Sequence, residues 1–327
     1  MRFRLADFEP SPDVFAAVMA TGILSIAAGN HHYGVINQAL GVLASLGFLV
    51  LVALVIVTRR LARWDFTDPD VTLRLFTFVA ACAVLDSRLA TQPALLWVLG
   101  LAALASWLVL VALSARNMST RGWSALRRQA HGAWELASVG TSGLAIVASK
   151  VARYPPRHWW LSAAVFVWVA ALCIYALMTW LILWRTVAER QHRAGFEPDT
   201  WILMGGLAIA TLAGDNIHRL APAWLSGPVL VVTVVTWLAA TLWIPPLIYF
   251  GLHRMSHRPE MLHFAGVWWA FVFPLGMYSA ASYTMAAELG HRSLITVSLV
   301  FCWDALAAWL IVAIAGLLRA RRAIAGD

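Results

Sequence analysis

The residues in this sequence that could carry covalent or redox chemistry are not spaced to assemble a catalytic centre. All ten histidines fall in connecting segments or at the ends of apolar runs, so paired imidazoles for a haem at membrane depth are missing. No HExxH is present, and the GTSG at Gly140–Gly143 has no histidine to activate its serine. Cys82, Cys173 and Cys302 stand singly inside apolar runs, without CxxC or ligand spacing, and read as small hydrophobes. The suggestive pattern is of another kind. In WWAFVFPLGMYSAASYT, Trp268–Thr284, the helical line through Phe273 collects Gly266, Ala270, Gly276, Ala280 and Thr284; the line through Phe271 collects Phe264, Trp268, Leu275 and Tyr278. A small face with a single bulky ring suits a passage and an obstruction rather than a reaction. No enzyme activity, metal or cofactor is expected.

The elements that must position this face are apolar helices. Of 327 residues 61% are hydrophobic and 12% charged, a balance that excludes a soluble domain with an ordinary charged surface. Ten apolar runs lie near 14–29, 36–58, 71–85, 94–114, 134–151, 159–183, 201–213, 229–250, 265–287 and 293–318. The even runs are rich in Leu, Val, Ala and Trp and long enough to span a bilayer. The odd runs carry the Gly, Ser and Thr, and their starts recur every 57 to 67 residues, about one helical hairpin apart. The expected fold is an all-α integral membrane protein, a single transmembrane domain over 1–327. Its ten transmembrane helices form five tandem hairpins, with the odd helices in an inner ring around a pore and the even helices outside. Short segments, 1–13 and 319–327, flank it, and no cleavable signal precedes the first run.

Small and hydroxyl residues fall on stripes within the odd runs: Thr21, Gly22 and Ser25 in the first; Thr77 and Ala81 in the third; Ser138, Ser142 and Ala145 in the fifth; Gly206 and Ala210 in the seventh; Ala280 in the ninth. Such stripes serve close helix packing or line a narrow pathway, and their recurrence on five helices makes them candidates for pore lining. Pro274 has no N–H for the carbonyl of Ala270, so with Gly276 it should bend the ninth helix beside Phe273.

Charge sets orientation. Eighteen of the 24 Lys and Arg lie in the N-terminal segment, the even-to-odd connections, the C-terminus and at Arg74, which predicts both termini on the cytoplasmic side of the cell membrane. The net charge of +8 reflects this bias, not a nucleic-acid surface. Arg88, His218, Arg219, His291 and Arg292 at one end and Arg74 at the other could concentrate anions. Four acidic residues lie in or beside the runs. Asp304, mid-run, should cost at least about 2.5 kcal/mol unless paired or protonated, which suggests a polar contact with an inner helix or a protomer interface, or a role in proton coupling. Glu135 opens the fifth helix, as a carboxylate at a helix N-terminus or an inner-mouth filter. Asp86 and Asp215 have local partners in Arg88 and Arg219.

FAAVMATGILSIA at Phe15–Ala27, the ten-run plan and WWAFVFP at Trp268–Pro274 together resemble the tellurite-resistance/dicarboxylate transporter family, which includes bacterial tellurite-resistance protein A, fungal malic acid transporters and plant slow anion channels. The resemblance implies a homotrimer in which each protomer carries its own pore, formed by five inner helices and blocked midway by a phenylalanine. That residue corresponds here to Phe273, with Phe271 as the fallback. It implies small inorganic anions or dicarboxylates as the transported species. The family holds both anion channels and proton-coupled exporters of C4-dicarboxylates such as malate, and no residue here separates the two. The long phosphorylated tails of the plant members are not expected.

Overall fold

The computed structural model describes residues 10–58, 64–89, 92–153, 158–188, 198–257 and 268–325; Phe264 and Gly266, read above as part of the ninth run, lie outside them. Every regular element among the described residues is helical: α1 (Ala16–Asn30), α2 (Gly34–Thr58), α3 (Pro69–Arg74), α4 (Phe76–Arg88), α5 (Pro93–Ser119), α6 (Trp123–Gln129), α7 (Leu136–Val151), α8 (His158–Ala188), α9 (Ile202–His218), α10 (Ala223–His257), α11 (Trp269–Glu288) and α12 (Ser293–Ala325). Short 3-10 turns at Gly132–Glu135 and Pro198–Trp201 lead into α7 and α9. Six helices are long and apolar enough to cross a bilayer: α2, α5, α8, α10, α12, and α9 with its leading turn. This is the build of a helical membrane protein.

The third apolar run differs from expectation, because it is two helices rather than one. Asp68 accepts a hydrogen bond from the Asp70 amide and Pro69 occupies the first turn, so α3 starts early. The chain then breaks at Leu75, and Thr77 donates to the carbonyl of Arg74 at 2.9 Å. What remains of α4 is 13 residues, about 20 Å of helix, too short to face lipid alone. The connection after α5 is likewise not a bare loop: it carries α6, whose Arg127 lies over the Trp184 ring of α8 at 4.2 Å.

Burial divides the helices into two kinds. Within its most apolar window α2 is 22% buried, against 83% for α9; α5, α8, α10 and α12 resemble α2, while α1, α4, α7 and α11 are buried along nearly their whole length. The apolar residues left outside, such as Leu49, Val98, Phe166, Leu242 and Ile311, give the outer helices a surface suited to lipid tails. The buried helices pack on one another in a closed order, α1 on α4, α4 on α7, α7 on α9, α9 on α11 and α11 on α1. Each also packs on the long helix that follows it.

Glycines and small residues make the close contacts of that order. A Cβ on Gly22 of α1 would stand 2.6 Å from Val84 of α4, one on Gly143 of α7 2.9 Å from Ala83 of α4, and one on Gly276 of α11 3.0 Å from Ile23 of α1. A Cβ on Gly205 of α9 would stand 3.0 Å from the ring of Pro274. These are the small-residue approaches by which membrane helices associate without a hydrophobic driving force between them.

Candidate functional site

The side chains with known partners fix which way α11 faces. Pro274 is against α9. The Tyr278 hydroxyl bonds Thr241 of α10 at 2.8 Å and its ring meets Phe301 of α12, while Ser282 accepts from Trp237 of α10. Ser279 and Ser298 of α12 exchange hydrogen bonds of 2.7 Å, and Gly276 and Tyr283 meet Ile23 and His31 on the α1 side. At about 100° per residue these contacts use a little over half of the circumference. The arc left over carries Ala270, Phe273, Met277, Ala280 and Thr284, and it lies between α9 and α1, opposite the outer helices. Phe273 is 0% exposed. The helix runs unbroken through Pro274, whose ring fits because Gly205 opposite has no side chain.

Two details depart from the sequence reading of this face. Gly276 is not on the Phe273 arc but at the α1 contact, and Met277, 1% exposed, shares the arc one turn along. Phe271 points elsewhere: its ring meets Trp201 at 4.9 Å and Trp268 at 6.2 Å, both edge-on, which pins the start of α11 to the turn before α9.

The other candidate lining residues separate into groups. Thr21 donates to the carbonyl of Ala17 and accepts from Trp309 of α12, so it faces outward. Ser25 donates to the carbonyl of Asn37 at 2.7 Å and accepts from Arg88 at 3.0 Å. Thr77 serves the break before α4, as above, and Gly22 serves the contact with α4. Gly206 stands against Ser138 and the Tyr175 ring of α8, and Trp168 of α8 donates to the carbonyl of Ala210; this stripe of α9 is a packing surface toward α7 and α8. Ala81, Ala145 and Ala280 are buried. Ser142 differs from the other candidate hydroxyls, because its Oγ, like that of Ser114 on α5, is buried with no hydrogen bond among the described residues.

The charged candidates also separate. Glu135 is fully buried and accepts from Ser138 at 2.8 Å and Thr179 at 2.7 Å. Asp304 is on the exposed side of α12, beside the exposed Trp303, with no ion pair or hydrogen bond among the described residues. Asp215 pairs with Arg219 at 3.1 Å, as the spacing suggests, and Arg219 also reaches Glu288 at the end of α11. Asp86 does not pair with Arg88. Residues two apart point to different sides of a helix, so Arg88 reaches Ser25, and Asp86 has Lys150 of α7 at 4.0 Å.

A cluster that sequence reasoning missed joins the N-terminal ends of the buried helices. His131 lies between Asp199 at 2.7 Å and Asp70 at 2.6 Å, one carboxylate on each ring nitrogen. Arg74 pairs with Asp70 at 3.0 Å and Asp13 at 3.5 Å, and Asp199 also accepts from the Ala133 amide. Burial opposes the charge on His131, but the hydrogen bonds and charges of Asp199 and Asp70 outweigh it and push its pKa up to about 9. Burial likewise opposes the charge of Asp70, and the hydrogen bond to His131 with the charges of Arg74 and His131 holds its carboxyl below the usual range. Residues preceding α1, α4, α7 and α9 are thus tied together, and α11 joins them through Trp201 and Phe271.

Comparison with known proteins gives the chain its relatives. The family described as voltage-dependent anion channel, SLAC1, matches residues 9–317. Two uncharacterized transporters of Methanocaldococcus jannaschii are similar over most of their length. One is 23% identical across 83% of this chain and 82% of the relative, the other 22% identical across 96% and 95%. An uncharacterized membrane protein of Mycobacterium tuberculosis is 30% identical over 146 residues, 43% of this chain and 74% of the relative.

Proposed function

The chain belongs to the SLAC1 family of voltage-dependent anion channels, and from that premise we propose that it conducts small anions through a pathway inside each protomer, gated by the ring of Phe273. The observation that carries the reading is the enclosure of Phe273 on the one arc of α11 that no outer helix occupies. In this reading α1, α4, α7, α9 and α11 form an inner ring, and α2, α5, α8, α10 and α12 an outer one. The ten helices cross the cytoplasmic membrane as five hairpins with both termini inside. An apolar ring across a narrow passage excludes hydrated ions by dewetting, and rotation of the ring about χ1 beside Pro274 opens it. The arc of Phe273 carries no carboxylate, and a path lined by apolar surface and a free hydroxyl such as Ser142 disfavours cations without trapping anions.

The protein acts as a homotrimer in this reading. A carboxylate on the lipid-facing side of α12 is costly, and a neighbouring protomer covering Asp304 removes that cost. The transported species are small inorganic anions, and no cofactor takes part.

Planar bilayer recording tests the proposal: the wild type gives ohmic current whose reversal follows the anion gradient, and Phe273→Ala raises conductance at least about tenfold. An unchanged conductance in a folded Phe273→Ala protein overturns the gate. Opening by Phe271→Ala instead would transfer the role to that residue, against its contacts with Trp201 and Trp268.

A second reading, a proton-coupled carrier of malate-like dicarboxylates, is favoured by the burial of Glu135 between two hydroxyls at the start of an inner helix. It requires slow, saturable flux driven by a pH gradient and uncoupled by Glu135→Gln. Asp304, outside the bundle, does not suit that task.

A further inference from the structure

We propose that Lys150 is a binding site for a monovalent inorganic anion at the C-terminal mouth of the inner helices, and that Asp86 is the internal counter-ion which the anion displaces. The proposal rests on the conduction reading above and adds to it the place where the ion is held.

Lys150 is the penultimate residue of α7, two turns beyond Gly143 on the same helical line. A Cβ on Gly143 would meet Ala83 of α4 at 2.9 Å and Ile209 of α9 at 3.9 Å. Those two helices flank α7 in the inner order, so the line that Lys150 extends looks between them, toward the middle of the bundle. The ammonium therefore belongs to the passage rather than to the lipid-facing side.

The state of Asp86 is the second observation. Its side chain is 0% exposed, and both carboxylate oxygens are buried with no hydrogen bond among the described residues. Its nearest cation is Lys150 Nζ at 4.0 Å. A closed ammonium–carboxylate pair lies near 2.7–2.9 Å, so this pair is held apart by roughly 1 Å. A buried carboxylate without a donor is expensive. That expense is intelligible where the charge is needed to balance an ammonium whose three donors are kept for another ligand. The Lys150 side chain, 13% exposed, remains within reach of solvent while Asp86 does not.

The surroundings favour an anion. Arg88 leans on the Ser25 hydroxyl and Arg153 on the Asn216 side-chain oxygen at 3.4 Å, both neutral partners. The other carboxylates at this end, Asp215 and Glu288, are taken by Arg219, and Glu288 also by His218. Asp86 is then the one described carboxylate left facing Lys150, and it is the one not bonded to it.

The test uses the full chain in liposomes, with chloride and nitrate flux measured against concentration. Wild-type flux should saturate. Lys150→Gln should raise the half-saturating concentration about tenfold or remove saturation, Lys150→Arg should keep it within about threefold, and Asp86→Asn should lower it by removing the competing carboxylate. If Lys150→Gln fails to fold, the double variant Asp86→Asn/Lys150→Gln removes the stranded charge and replaces it in the comparison. Half-saturation within about twofold of wild type in the Lys150→Gln or double variant, with flux intact, overturns this site and leaves the conduction reading standing. Absence of wild-type flux for both anions overturns the conduction reading and this site together.

Discussion

The two ends of the buried helices treat charge differently. At the N-terminal end His131 and Arg74 are held between carboxylates, with hydrogen bonds or ion pairs of 2.6–3.5 Å to Asp70, Asp199 and Asp13. At the C-terminal end Arg219 is paired with Asp215 and Glu288 at 3.1–3.2 Å, but Lys150 stands 4.0 Å from Asp86, and Arg88 and Arg153 rest on neutral oxygens. The first arrangement spends its charges on fixing the chain: four of the buried helices, α1, α4, α7 and α9, start from residues of that cluster or beside it. The second leaves Lys150, Arg88 and Arg153 without a tight carboxylate partner among the described residues, which suits holding a mobile anion. Phe273, in the second turn of α11, lies nearer the fixed end, and the gate proposed for it would have rigid neighbours there.

The contrast breaks most visibly if the His131 cluster is not a structural tie. His131→Ala strands Asp199, 2% exposed, with the Ala133 amide as its one remaining hydrogen-bond donor among the described residues, and should cost about 3 kcal/mol of stability. Reversible unfolding in mixed micelles measures it. A cost under about 1 kcal/mol would place the cluster with ordinary surface pairs and remove the distinction between the ends.

A milder probe of the same end is pH. The pKa of His131 is raised in the folded state from 6.5 to about 9, so its contribution is present in full below about 6.5 and is lost as pH rises through about 9. Unfolding measured across that window should show stability falling by at most about 3 kcal/mol, less whatever solvent screening removes. Asp70, whose pKa is lowered, acts in the opposite sense: its contribution is present above the ordinary carboxylate value and is lost as pH falls through the lowered folded value. His131→Gln should abolish the alkaline loss. A flat profile in the wild type would show that the ring is neutral where it lies.

These features were unequally legible in the sequence. The apolar runs, the different surroundings of Phe273 and Phe271, and the Asp215–Arg219 pair all follow from spacing within one helix, which periodicity reports directly. The His131–Asp199 contact spans connecting segments 68 residues apart, where no period operates. That Asp86 and Arg88, two apart, do not face each other is reported by helix geometry, but nothing local announces that a lysine of another helix stands nearest to Asp86. Small-residue stripes showed which faces are close-packed but not against which neighbour, so Gly206 read as lining and Gly276 as part of the Phe273 face when their partners are Tyr175, Ser138 and Ile23. The break at Leu75 was hidden because Leu73, Leu75, Phe76 and Phe78 carry an apolar run across it, although Asp68 and Pro69 mark a helix start on their own and Arg74 interrupts the run.

The smallest expected effect tests the open end. Arg153 is exposed and touches Asn216 at 3.4 Å, so Arg153→Gln should change stability by no more than about 0.5 kcal/mol. If the charge matters there, it acts through its field. Anion flux at low ionic strength should then fall by about twofold, and the difference should fade once the Debye length drops below about 5 Å in high salt. A stability loss rivalling that of His131→Ala would mean that this end, too, is fixed by its charges. An unchanged flux at low salt would mean that the positive charge around Lys150 does not extend to the mouth.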